Sequence, residues 1–198
     1  MTKYHHGNLR NKLLEIANGL LAEDGVHGLS LRKIAQRAGV SHNAPYMHFT
    51  DKEAVLVAIA EEGFRSLAIE VDSAIAKAEN STRQKLIAAS EAYVRFALNH
   101  SNHIQIMFRP TDVEKYPILH EVSQASLNRL FELVKNGQKS GELSSGKTHE
   151  MTKAIWTMVH GVANLSIAYK TTILLPEKNS VEDVVSALIN LLLDGLAT

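Results

Sequence analysis

The sequence contains no cysteine, which excludes disulfides, cysteine-ligated zinc, iron–sulfur clusters and a thiol nucleophile. It has no excess charge of either sign, because 21 Lys and Arg are balanced by 21 Asp and Glu. That balance argues against a uniformly basic nucleic-acid coat and against an acidic disordered tail. Only 4 Pro and 11 Gly occur among 198 residues, of which 45% are hydrophobic. We therefore expect an ordinary globular protein of one large or two small domains.

Long hydrophobic runs are missing as well. A membrane span would need about 18 uninterrupted apolar residues, and no such window occurs. The first ten residues are polar and rich in histidine, whereas a secretory signal requires an apolar run. We therefore expect a cytoplasmic protein with no membrane partner.

Apolar residues recur at intervals of three and four almost throughout the chain, which predicts helices. One apolar stripe covers residues 9–21 and is followed by Gly25 as a stop signal. A shorter stripe over 31–38 is opened by Ser30 and closed by Gly39. Further helices are predicted over about 41–49, 51–79, 117–140, 148–171 and 180–196, with another beginning near Ser81. The expected fold is all-α with about nine helices.

Two capping boxes mark helix starts in this pattern. Thr50 is followed three residues later by Glu53, and Ser81 by Gln84. In such a box the hydroxyl accepts a hydrogen bond from the third helical N–H, and the Glu or Gln side chain reaches back. We therefore expect Thr50 and Ser81 to cap the helices that follow them.

The charges are distributed unevenly along the chain. Residues 1–50 carry six Lys and Arg against three acids, a net charge of +3. Residues 51–198 carry 15 against 18, a net charge of −3. The positive charge falls on short helices, where it could neutralise a phosphate backbone.

Two of these short helices have the spacing of a helix-turn-helix. The predicted helices 31–38 and 41–49 are joined by a short turn containing Gly39, and the second helix of such a motif enters the DNA major groove. The spacing alone also fits a small helical cluster without DNA binding. The second helix offers polar groups for bases or phosphates, namely Ser41, His42, Asn43, Tyr46 and His48. The apolar residues expected to pack are Val40, Ala44, Met47 and Phe49.

Three runs in this region, Gly39-Val40-Ser41, Tyr46-Met47-His48-Phe49 and Asp51-Lys52-Glu53 with Leu56, are similar to the signature of the TetR family of bacterial transcriptional regulators. The opening Tyr4-His5-His6-Gly7-Asn8-Leu9-Arg10 and the later Trp156 with His160-Gly161 resemble a subgroup with a C-terminal Trp…His-Gly signature. The sequence departs from many members at Ala44-Pro45, where they carry Gly-Thr or a similar pair.

The resemblance implies a helix-turn-helix DNA-binding domain at 1–50 and a ligand-binding and dimerisation domain at 51–198, with the helix from about 51 as the link. Carried over to this chain, the DNA contacts are Arg32, Ser41, His42, Asn43, Tyr46 and His48, and Lys52 contacts a phosphate. A helix N-terminus with a lysine suits a phosphate, because dipole and charge act together.

The resemblance also implies a homodimer in which the last two helices of each chain form a four-helix bundle. The final predicted helix is apolar on more than one stripe, which one partner face within a monomer would not bury completely. A wholly internal core helix is the alternative. Two recognition helices related by the dimer axis would read a pseudo-palindromic operator in double-stranded DNA.

Large side chains on the helices of the second domain are candidates for a small-molecule effector site: Tyr93, Phe96, Phe108, Phe131, Trp156, His160 and Tyr169. Each could equally pack in the core. His160 is the strongest candidate, because an imidazole on an apolar face needs a polar partner. An apolar or aromatic ligand with one polar group would suit such a lining.

Other motifs do not support an enzyme. Residues 141–148 match the phosphate-binding P-loop pattern, but the residues before them have helical spacing, whereas a P-loop follows a strand. We predict no catalytic residues, metal site or cofactor. The expected function is a repressor whose operator binding is relieved by a small molecule. A ligand-independent regulator or activator of the same fold, or an all-α enzyme, is the alternative.

Overall fold

In the computed structural model, which describes residues 6–169 and 180–196, the chain forms eight α-helices and one 3-10 helix, with no strand in those ranges. The helices are α1 (His6–Gly28), α2 (Leu31–Ala38), the 3-10 helix (Pro45–Met47), α3 (Lys52–Lys77), α4 (Thr82–Asn99), α5 (Ser101–Met107), α6 (Pro117–Ser140), α7 (Thr148–Tyr169) and α8 (Val181–Leu196). The all-α prediction is confirmed. The predicted helix end at 171, and Tyr4 and His5 of the subgroup resemblance, lie outside the described residues.

The segment 41–49 is not the α-helix that the sequence predicted. A turn at 42–44 leads into the short 3-10 helix, and the N–H groups of residues 44, 46, 47 and 48 each bond to the carbonyl three residues back. Pro45 explains the difference, because it has no N–H to donate to the Ser41 carbonyl. That carbonyl accepts instead from the N–H of Ala44, at 3.0 Å.

Local signals placed several helix ends correctly. The hydroxyl of Ser30 accepts a hydrogen bond from the Lys33 N–H at 3.2 Å, and that of Ser81 accepts from Gln84 at the same distance. Gly25, the predicted stop signal, interrupts α1 with φ +65°. The caps at Ser30 and Ser81 satisfy N–H groups that the first turn of a helix leaves without partners.

The cap of α3 is Asp51, so the prediction of Thr50 is wrong by one residue. The carboxylate of Asp51 accepts from the Ala54 N–H at 2.8 Å, and the helix begins at Lys52. A carboxylate is a stronger acceptor than a hydroxyl and also suits the positive end of the helix dipole. Residues of both kinds stand side by side here, and the carboxylate takes the capping position.

The described chain divides into two compact units. The first unit consists of residues 6–63 and 102–119, and the second of 64–101, 120–169 and 180–196. Helix α3 begins in the first unit and continues in the second. The functional division of the chain at residue 50 stays a prediction.

The core of the first unit is built from the apolar sides of its helices. Buried residues include Leu13, Leu14, Leu20, Ile34, Phe49, Val55 and Ile59. Helices α3 and α5 approach closely in this unit, because a Cβ atom placed on Gly63 would lie 2.7 Å from Sδ of Met107. Together these contacts fix α2, the 3-10 helix and the start of α3 on one framework.

In the second unit, α4 packs against α7 and α8. The buried side chains there include Leu86, Phe96, Ile155, Val162, Ile189 and Leu193. The guanidinium of Arg83 donates to Asn190 at 2.8 Å and to Asp194 at 2.7 Å, which ties the first turn of α4 to α8.

The segment that matches the P-loop pattern follows α6 rather than a strand. Its Glu142 carboxylate accepts hydrogen bonds from the N–H of Thr82 at 2.7 Å and from the Thr82 hydroxyl at 2.9 Å. These bonds lower the pKa of Glu142. The segment therefore caps the start of α4 with a side chain from 60 residues away.

None of the described helices combines the length and apolar character needed to cross a bilayer.

Candidate nucleic-acid interface

The candidate DNA contacts in the turn formed by residues 41–48 lie on the surface of the first unit. Ser41, His42, Asn43 and Tyr46 are exposed, and His48 is half-buried. Pro45 and Phe49 are buried and anchor the turn to the core. The polar groups needed for base and phosphate contacts are therefore presented to solvent from a rigid support.

Helix α2 ends just before this turn in a way that depends on glycine. Gly39 has φ +68°, in the left-handed region, and its N–H donates to the carbonyl of Gln36 at 3.2 Å. The N–H of Val40 donates to the Ala35 carbonyl at 3.1 Å. These two bonds form a Schellman motif, a common helix end built around a left-handed glycine. The motif directs the chain from Ala38 into Ser41.

Two cations of α2 are paired with acids on α1. Lys33 lies 3.1 Å from the carboxylate of Asp24, and Arg37 lies 2.8 Å from that of Glu23. Both pairs are exposed, and exposed pairs contribute little to stability. Their consequence for the surface is that neither cation presents an unbalanced charge.

Arg32 and Lys52 differ from these paired cations. Within the described residues, neither side chain takes part in an ion pair or a hydrogen bond. Arg32 is exposed on α2, and Lys52 is the first residue of α3. Among the cations of α2 and the start of α3, these two have their charge available for a phosphate.

Met47 was expected to pack, and the structure contradicts this. Its side chain is 82% exposed, whereas Phe49, expected to pack as well, is 4% exposed. In an α-helix, residues 40, 44 and 47 would form one apolar stripe. In the 3-10 conformation residues 44 and 47 still share a side, but Val40 no longer lies in line with them, and a sequence pattern based on α-helical spacing therefore places Met47 on the wrong side.

Hydrogen-bonding and ring contacts join three of the seven predicted effector residues. Tyr93, Trp156 and His160 are brought together in the second unit: the Tyr93 hydroxyl and Nδ1 of His160 share a hydrogen bond at 2.7 Å. The indole of Trp156 stacks on the His160 imidazole with ring centroids 5.3 Å apart and an interplanar angle of 14°. Burial raises the pKa of Tyr93 and lowers that of His160, which favours the neutral forms of both.

The other four candidates are Phe96, Phe108, Phe131 and Tyr169. Phe96 is buried and contacts the ring of His100, while Phe131 contacts the ring of His149. Phe108 belongs to the first unit, and Tyr169 is 50% exposed at the end of α7. An open groove of about 460 Å³ lies between α3 and α6, lined by residues such as Ile75, Arg129 and Leu133, and none of the predicted effector residues lines it.

Two family models match the chain. The model of bacterial regulatory proteins of the tetR family matches residues 13–59, and that of the tetracyclin repressor-like C-terminal domain matches residues 86–190. The chain belongs to the TetR family. It is therefore a DNA-binding transcriptional regulator. The first of the two matched regions contains α2, the 41–48 turn and the start of α3.

Relatives found by sequence and by structure match nearly the whole chain. A protein of unknown function from Rhodococcus sp. RHA1 is 34% identical, covers 100% of both chains and superposes with a TM-score of 0.87. The fatty acid metabolism regulator protein of Bacillus subtilis is 22% identical over 93% of this chain and 94% of its own length. The transcriptional regulator FadR from Bacillus subtilis, solved in complex with stearoyl-CoA, is 20% identical, covers 94% of this chain and 98% of its own, and has a TM-score of 0.76.

Proposed function

We propose that the first unit contacts its operator through the 41–48 turn and the helix starts beside it. Ser41, His42, Asn43, Tyr46 and His48 provide base or phosphate contacts, and Arg32 and Lys52 neutralise phosphates. The observation that carries this proposal is the run of exposed or half-buried polar side chains between two well-anchored helices, next to two cations that no described residue pairs with. Such a surface combines the groups that position a protein on DNA with groups that read base edges.

The proposed interface is tested by selecting duplexes from a random DNA pool and measuring binding at moderate salt. We expect an enriched, two-fold related motif that binds saturably and more tightly than the unselected pool. Enrichment of no motif, or equal affinity for selected and unselected duplexes, would overturn the assignment.

We further propose that the protein acts as a homodimer in the cytoplasm, as a regulator and not as an enzyme. Helices α7 and α8 expose large apolar side chains, among them Leu165 (40%), Tyr169 (50%) and Leu191 (71%). Exposed apolar residues on two neighbouring helices suit a surface that a second copy covers. Two copies related by a two-fold axis would present two recognition turns to a pseudo-palindromic operator.

The regulatory mode that we propose is repression relieved by a small molecule with an apolar body and one polar group. Tyr93, Trp156 and His160 supply an aromatic surface with a neutral polar pair at its centre. The FadR relative from Bacillus subtilis was solved in complex with stearoyl-CoA, whose long acyl chain is an apolar body of this kind, although its CoA head carries several charged groups. A ligand that favours one arrangement of the second unit would change DNA affinity by linkage.

Long-chain acyl-CoA is the first effector class to test. In a thermal-shift titration, binding of the acyl-CoA should raise the melting temperature of the protein. The same acyl-CoA concentrations should release the protein from the selected operator. Stabilisation without release would indicate a ligand that does not control DNA binding, and no stabilisation by any acyl chain length would remove this class. An in vitro transcription assay separates a repressor from an activator, because the repressor lowers the yield from a promoter that contains the operator.

A further inference from the structure

Met47 is the most exposed large apolar side chain of the described residues, at 82%, and it lies within a turn of polar residues. Tyr46, at 55%, and the half-buried His48 flank it in sequence. An apolar side chain that is left in water at this degree of exposure gains nothing from the fold of its own chain. Packing within the chain therefore does not explain why a methionine occupies the middle of the proposed DNA-contacting turn.

The local conformation keeps Met47 pointing away from the core. A 3-10 helix has three residues per turn, so residues three apart share a side. Pro45 is buried on the inner side, while Ala44 and Met47 share another side. The hydrogen bonds from Met47 N–H to the Ala44 carbonyl, at 3.2 Å, and from Phe49 N–H to the Pro45 carbonyl, at 2.9 Å, fix this arrangement. Phe49, two residues after Met47, is buried in the core.

The chemistry of a methionine side chain restricts what it can recognise on DNA. A thioether has no hydrogen to donate and is a weak acceptor, so it cannot read the polar groups of base edges. In the major groove, the 5-methyl group of thymine is the apolar group that such a side chain can cover. Three rotatable bonds and a polarisable sulfur allow methionine to adapt to that target.

We propose that Met47 covers a thymine 5-methyl group in each half of the operator and so determines the preference for thymine at that position. This inference rests on the proposed interface, because it requires the 41–48 turn to enter the major groove. It adds a specificity determinant that makes no hydrogen bond, beside the polar residues already assigned. A phosphate-contacting role does not suit Met47, since its side chain carries no charge and no donor.

The test replaces thymine by uracil, which removes the 5-methyl group and leaves the hydrogen-bonding edge unchanged. The selected operator is synthesised with one thymine at a time, in both half-sites, replaced by uracil, and affinities are measured by fluorescence anisotropy. For the full-length protein we expect one position at which uracil weakens binding about four-fold per half-site, the effect of exposing one methyl group. Met47→Ala should bind thymine and uracil equally at that position, whereas Met47→Leu should keep the preference.

The control variant is Ile69→Ala, which shortens a side chain that is also highly exposed, at 70%, but lies on the second unit. It should keep the full thymine preference. The inference is overturned if no thymine is sensitive to uracil, or if Met47→Ala retains the sensitivity of the unaltered protein. If the protein still binds a selected operator but shows either of these two results, only the role of Met47 is removed. If no operator can be selected at all, the proposed interface is removed as well.

Discussion

At the scale of single residues, Lys52 carries a specific prediction because it lies at the start of a helix and no described residue pairs with its charge. Replacing Lys52 by Ala should weaken operator binding and lower the slope of log affinity against log salt by about one unit, the contribution of one phosphate contact. The control is Lys77→Ala, which removes the lysine at the opposite end of the same helix. Anisotropy titrations at several salt concentrations provide both numbers, and an unchanged slope for Lys52→Ala would remove the phosphate contact.

The hydrogen-bonded pair of Tyr93 and His160 predicts a pH dependence of stability. Burial lowers the pKa of His160 below its usual value near 6.5, so the unfolded chain takes up this proton before the folded chain does. The contribution of neutral His160 to the free energy of unfolding should therefore be fully present above about pH 6.5. It should be lost as the pH is lowered through the reduced pKa.

His160→Asn provides the comparison for that prediction, because its side-chain amide can donate to or accept from the Tyr93 hydroxyl but does not titrate. Melting temperatures at pH 7.5 and pH 5.5 should differ less for this variant than for the unaltered protein. An equal or larger difference for the variant would show that His160 does not contribute to the pH dependence.

At the scale of elements, the end of α2 makes a prediction about glycine. An alanine at Gly39 would be held at φ +68°, a left-handed conformation that costs about 1 kcal/mol for a residue with a Cβ atom. Gly39→Ala should therefore lower the melting temperature by about 2–4 °C. The same substitution at Gly19, inside α1 with open space around its Cβ position, should raise stability by up to about 1 kcal/mol. Differential scanning calorimetry of the two variants checks this opposite sign, and destabilisation of equal size by both would contradict it.

The elements also show where local sequence signals suffice. Ser30 and Ser81 cap their helices through residues three positions away, so their role is encoded in a few consecutive residues. The conformation of 41–49 depended on one missing N–H at Pro45, which the apolar spacing does not register. The cap that Glu142 provides for Thr82 joins residues 60 positions apart, and no local pattern reports such a contact.

At the scale of the whole molecule, the charge asymmetry of the sequence changes meaning. The chain segments assigned to the first unit, 1–63 and 102–119, contain nine Lys and Arg and nine Asp and Glu, so their net charge is zero. The excess of +3 over residues 1–50 is offset by residues 51–63, which contain four acids and one lysine, whereas residues 102–119 are neutral overall. We therefore expect a surface for DNA to be distinguished by cations such as Arg32 and Lys52, which have no acidic partner in the described part of the chain, rather than by a net charge.

The distribution of the candidate residues between units could not be predicted from sequence. Phe108 belongs to a segment that returns to the first unit, although it follows about 40 residues of the second. Tyr93 and His160 are 67 positions apart and share a hydrogen bond, whereas the large side chains of Phe96 and Phe131 contact other histidines. Aromatic residues at helical spacing identify the buried sides of helices, and the packing of those helices decides which residues meet.

The proposed homodimer predicts that Leu191→Glu separates the two copies. A carboxylate placed in an apolar interface is costly to desolvate, so the dimer should weaken on the order of ten-fold or more. Light scattering should show the mass falling from twice 21.8 kDa towards 21.8 kDa as the protein is diluted, at concentrations where the unaltered protein stays a dimer. Ile69→Glu, an equally exposed position on α3, should leave the mass unchanged. Dissociation caused by Ile69→Glu and not by Leu191→Glu would place the interface elsewhere.

The most direct measurement is the ratio of affinities for the selected operator and for a duplex of the same length and composition with its half-site bases shuffled. At physiological salt, where backbone charge alone supports only weak binding, a sequence-reading interface should prefer the operator by about a thousand-fold or more. Tyr46→Ala should reduce that ratio while the melting temperature stays unchanged, because the side chain is exposed. Equal affinities for the two duplexes would contradict the assignment of the 41–48 turn as the element that reads DNA.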